Sequence, residues 1–94
     1  MFELNEEQRA TLLRIARQSI AAVVDGRSPD WKASDFDDML RQPAGAFVTL
    51  TRDGDLRGCI GSIQAVEPLY KAVASSAISA AFRDPRFPPL SPGD

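Results

Sequence analysis

The chain has 94 residues, 44% hydrophobic and 26% charged, which is enough for one small core and too little for a second domain. Thirteen acidic residues stand against 11 basic ones with no run of like charge to track phosphates or an anionic bilayer, so neither nucleic acid nor a membrane is expected as a partner. Histidine is absent and cysteine occurs once, which removes the commonest general base, the commonest zinc ligand and any disulfide within the chain.

In chain order, "NEEQRATLLRIARQSIAAVV" carries Leu13, Ala16, Ile20 and Val23 at helical spacing, widened by Leu12 and Val24. Asn5 followed by Gln8 has capping-box spacing, Glu6 and Glu7 suit the positive end of the helix dipole, and Gly26 is the expected stop. "GRSPDWKAS" reads as a surface connection in which Trp31 anchors the loop or faces a partner. A short helical turn is expected in "SDFDDMLRQP", capped by Ser34 and closed by Pro43, with Asp37 and Asp38 as a solvated cap rather than an acid/base pair.

"AFVTLTRDGDLRGCIGSI" places two β-prone runs around Asp-Gly, the pair suited to the positive φ angles of a tight hairpin turn. A regular two-residue hairpin pairs Thr51 with Leu56, Leu50 with Arg57, Thr49 with Gly58, Val48 with Cys59 and Phe47 with Ile60. Both faces then carry apolar bulk, so a covered sheet is expected. "EPLYKAVASSAISAAF" gives a second long helix with Leu69, Val73, Ala77 and Ala81 in a stripe, its small residues suited to close packing on a sheet. Four prolines after Arg83 leave "RDPRFPPLSPGD" extended over the surface. No stretch has the signal-peptide pattern and no apolar run approaches the roughly 20 residues of a membrane helix, so the expected location is cytoplasmic.

The order of a helix, "GAFVTLTRDGDLRGCIG", an alanine-rich helix and "AAFRDPRFPPL" resembles the AMMECR family, named for the Alport syndrome, midface hypoplasia and elliptocytosis chromosomal region. The likeness is carried by residues 45–62, with the Leu-Arg-Gly-Cys-Ile-Gly signature at 56–61, and by residues 80–90, with the Asp-Pro-Arg-Phe block; residues 1–44 agree only in helix placement. The resemblance implies an α+β fold, a mixed β-sheet with a central β-hairpin flanked by helices. Family members carry several more strands after the Asp-Pro-Arg-Phe block, so residues 1–94 are expected to form a single domain lacking those C-terminal strands. Prokaryotic relatives look like the A component of the three-part AmmeMemoRadiSam system, beside a Memo-like protein of extradiol dioxygenase ancestry and a radical S-adenosylmethionine enzyme. No reaction and no cofactor follows for the A component.

Candidate chemistry gathers at Arg57 and Cys59, which on a regular strand leave the same face with Cα atoms about 6.6 Å apart. A guanidinium beside a thiol favours the thiolate, and Gly58 and Gly61 would leave room for a ligand to approach the backbone. The bland reading makes Cys59 a small buried hydrophobe and the glycines packing devices. Asp84 and Arg86 read either as a local charge pair holding the extended segment, or, with Arg86 beside Arg57, as part of an anion-binding corner. Two functions result: a module binding a ligand or partner through Arg57, Gly58, Gly61, Asp84 and Arg86, or an enzyme using Cys59 assisted by Arg57 on a small substrate of the same pathway. An incomplete sheet also exposes an edge open to self-association.

Overall fold

The computed structural model describes residues 4–62 and 64–90. Helix α1 (Glu6–Val24) is followed by a 3-10 turn (Ala33–Asp35) and a short helix α2 (Asp38–Arg41). Strands β1 (Ala46–Arg52) and β2 (Asp55–Ser62) form an antiparallel hairpin, and helix α3 (Leu69–Phe82) follows. The arrangement is α+β.

The ends of α1 follow the local rules. Asn5 Oδ1 accepts the Gln8 N–H at 2.7 Å while Gln8 Oε1 accepts the Asn5 N–H at 2.9 Å, so two donors at the helix start are satisfied reciprocally. At the far end Gly26 takes φ +76°, and the N–H groups of Gly26 and Arg27 return to the carbonyls of Val23 and Ala22. The buried stripe lies about one residue around from the expected one. Leu12, Ile15, Ala16, Ser19 and Ala22 are buried, whereas Leu13, placed in the stripe by its spacing, is 60% exposed. The apolar surface of α1 is wider than the surface α3 covers, and Leu13 is on the side left over.

Trp31 anchors its loop: Nε1–H donates to the fully buried Ser19 Oγ at 2.8 Å, and the ring meets Phe36, which stacks on Tyr70 of α3 at 4.6 Å between centroids. The cap of α2 is Asp37, not Ser34; its Oδ1 accepts the Leu40 N–H at 3.1 Å. A hydrogen bond from the Gln8 amide holds the Asp37 carboxyl below the usual carboxylate range, helped by the cap itself.

Helix α3 packs against α1 and against both strands, which explains why Leu69, Tyr70, Ala72, Val73, Ala74, Ser76, Ala77, Ala80 and Ala81 are all buried rather than one narrow stripe. The hairpin turn is as expected, with φ +53° at Asp53 and +85° at Gly54. Its register is not. Thr51 pairs with Leu56, but Leu50 pairs with Gly58, Thr49 with Cys59, Val48 with Ile60 and Phe47 with Gly61, so Arg57 is an extra residue in a β-bulge. The regular register would put Arg57 opposite Leu50, on the face that carries Val48 into the core. The bulge gives that place to Gly58, which lies against Ala80 of α3.

The same shift corrects the expectation of a sheet covered on both faces. Ala46 and Val48 pack on the core and Gly58 lies against Ala80, but Phe47 is 62% exposed and Thr49 is exposed beside it. Among the described residues no helix is long and apolar enough to cross a membrane.

Candidate functional site

The segment after α3 folds back along the outer edge of β2. The Arg83 N–H closes the helix on the Ser79 carbonyl at 2.8 Å, and a turn with Pro85 at its second position brings the Phe87 N–H to the Asp84 carbonyl at 3.2 Å. The Leu90 N–H then reaches the Ala81 carbonyl at 3.1 Å. Asp84 sits where this return begins, and it is 5% exposed.

Four donors converge on the Asp84 carboxylate. Oδ1 accepts the Arg86 N–H and Nε–H, both at 3.0 Å, while Oδ2 accepts Arg86 Nη2 at 2.7 Å and the backbone N–H of Cys59 at 3.0 Å. The guanidinium of Arg86 holds the Asp84 carboxyl far below the usual carboxylate range, with the backbone donors adding to it against the opposing effect of burial. Asp84 in turn raises Arg86. The charge pair is therefore not a surface ornament: its acid is buried and it ties residues 84–87 to a strand 25 positions earlier.

Arg57, released from the ladder by the bulge, reaches the same segment. Its Nη2 donates to the Pro88 carbonyl at 2.7 Å, and its Cζ lies 5.9 Å from the centroid of Phe87. Arg86 Cζ is 5.5 Å from that centroid, so two guanidinium groups share one ring. Arg57, Cys59, Asp84 and Arg86 thus form one corner. The alternation that placed Arg57 and Cys59 on a common face does not pass through the bulge, and what gathers them is the returning segment.

Cys59 is a half-buried free thiol whose Sγ lies 3.3 Å from Thr49 Oγ1 across the hairpin, not opposite Val48. Gly58 and Gly61 leave no room for a ligand at the backbone. A Cβ on Gly58 would run into the Ala80 carbonyl, and one on Gly61 would strike the Ala46 carbonyl and Phe47. Both glycines have packing reasons. Phe87 and Thr49 complete the corner and were not singled out from the sequence; Phe87 stands in the Asp-Pro-Arg-Phe block, whereas Thr49 is found only once the bulge is known. Among the described residues no three His, Cys, Asp or Glu side chains gather to hold a metal ion.

The AMMECR1 family model matches residues 13–94. A protein of Methanothermobacter thermautotrophicus is 45% identical over 89 residues, covering 95% of this chain and 46% of its own length. One of Aeropyrum pernix is 46% identical over 94 residues, covering 95% and 39%. The crystal structure of an uncharacterised protein from Pyrococcus horikoshii superposes with a TM-score of 0.78 at 37% identity, over 86% of this chain and 42% of that one. The chain spans less than half the length of these relatives. With 82 of 94 positions inside the matched range, the Leu-Arg-Gly-Cys-Ile-Gly strand and the Asp-Pro-Arg-Phe return joined at Asp84, and a solved relative of the same fold, the chain belongs to the AMMECR1 family.

Proposed function

We propose that the chain is a cytoplasmic binding module that works with Memo-like and radical S-adenosylmethionine proteins, and that it recognises an anionic group on its ligand or partner at the Arg57, Cys59 and Arg86 corner. The observation that carries this reading is the Arg86 guanidinium, held by Asp84 on the Phe87 ring that Arg57 also meets, with one edge of it turned out. The Arg86 side chain is 55% exposed, and Asp84 engages only its Nε and Nη2, which leaves Nη1 toward an incoming acceptor. Binding is favoured over nucleophilic catalysis because the group facing the Cys59 sulfur is the hydroxyl of Thr49, a poor proton acceptor.

The test is a pull-down of the Memo-like and radical S-adenosylmethionine proteins by the native chain and by Cys59→Ser and Arg57→Ala, with folding checked by circular dichroism. Capture that survives Cys59→Ser and is lost in Arg57→Ala is the expected result. No capture by the native chain, or capture indifferent to Arg57, overturns the reading.

A further inference from the structure

The orientation of Arg86 and the attachment of the segment after α3 depend on the same atom. Asp84 Oδ2 accepts Arg86 Nη2 at 2.7 Å and the Cys59 N–H at 3.0 Å, so one carboxylate oxygen fixes the guanidinium and docks the segment on β2. Oδ1 adds the backbone N–H and the Nε–H of Arg86, both at 3.0 Å. Two further bonds hold the return, from Arg57 Nη2 to the Pro88 carbonyl and from the Leu90 N–H to the Ala81 carbonyl, and neither touches Arg86.

A guanidinium is rigid and planar, so a pair made side-on through Nε and Nη2 sets the direction of every other N–H on it. The N–H groups of Nη1 and the second one of Nη2 then point away from Asp84 as a fork for an acceptor. How firmly that fork is held depends on whether Asp84 is docked. In the docked segment the carboxylate is buried and the pair is strong. Lifted from β2 it is solvated, and an exposed pair between residues two places apart holds its geometry weakly. An anion that needs the ordered fork therefore binds the docked segment better than the lifted one, and by linkage it holds the segment down.

We propose that anion binding at Arg86 and docking of residues 84–87 on β2 are one coupled event, with Asp84 the positioning residue between them. This rests on the reading of Arg86 as the receiver of an anionic group. Asp84 opposes the anion by its charge and favours it by geometry, and the geometry wins.

The test is a titration of the isotope-labelled chain with inorganic phosphate, against chloride at equal ionic strength, followed at Arg86 Nε and by hydrogen exchange of the backbone amides. Without phosphate the Cys59 amide, whose partner is Asp84, should exchange faster than that of Ala77 on the buried face of α3, because it opens with the segment. At about ten times the Kd read from Arg86 Nε, its exchange should slow about tenfold. Asp84→Asn should weaken phosphate binding at least about tenfold, whereas loss of a carboxylate that only offset the arginine's charge would tighten it. A Cys59 rate that is unchanged while phosphate binds, or that equals the Ala77 rate throughout, overturns the coupling and leaves the anion reading standing; tighter binding by Asp84→Asn does the same. No shift at Arg86 Nε overturns the anion reading and the coupling with it. The exchange rates are read on the native chain, so they decide the matter whether or not the variant folds.

Discussion

The carboxylate of Asp84 accepts the backbone N–H of Cys59 at 3.0 Å, and through that bond the segment after α3 closes the outer edge of β2. Asp84 is therefore expected to make stability depend on acidity. Its folded carboxyl titrates below the ordinary range, so its contribution is complete above about pH 4 and is lost as pH falls below that into strong acid. Asp84→Asn should lower Tm by roughly 5–10 °C at neutral pH and flatten the acid fall that the native chain shows, as followed by circular dichroism from neutral to strongly acidic buffer.

Gly58→Ala should cost about 3 kcal/mol, because the new methyl meets the backbone of Ala80 and neither strand nor helix yields cheaply. At Gly54, where nothing lies within reach of a Cβ, alanine should cost only the positive φ, about 1–2 kcal/mol. Urea midpoints of the two variants check the order.

Ser19→Ala removes the acceptor of the Trp31 indole N–H at a fully buried position and should cost about 1 kcal/mol. Because Trp31 is the only tryptophan, its emission reports the change directly. A native-like spectrum with unchanged stability would mean the loop is held by the Phe36 contact alone.

Alkylation of Cys59 by iodoacetamide at neutral pH should be slower in the folded chain than in urea, since the thiol is half-buried against Thr49 and serves the hairpin. Faster reaction in the folded state would mark an activated thiolate and favour the catalytic alternative with Arg57.

Much of the fold was legible because its rules are local. The Asn5 and Gln8 cap, the Gly26 stop and the Asp53-Gly54 turn each depend on residues within a few positions of one another, and each is formed as the spacing implies. Ser34 was the wrong cap because two polar residues compete within one short stretch, and Phe36 and Leu40 must both turn inward, which Asp37 permits.

The candidate site divides the same way. By itself the sequence determined the elements, the family and the membership of Arg57, Cys59, Asp84 and Arg86 in two distinctive blocks. Only the tertiary structure decided that Arg57 leaves the ladder, that Cys59 faces Thr49 and that Asp84 joins the two blocks. The physical reason is that a bulge is chosen by what lies across the sheet. A strand pattern read alone counts every residue as paired, whereas the close approach of Ala80 admits only glycine at that point and displaces its arginine neighbour toward Phe87 and Pro88.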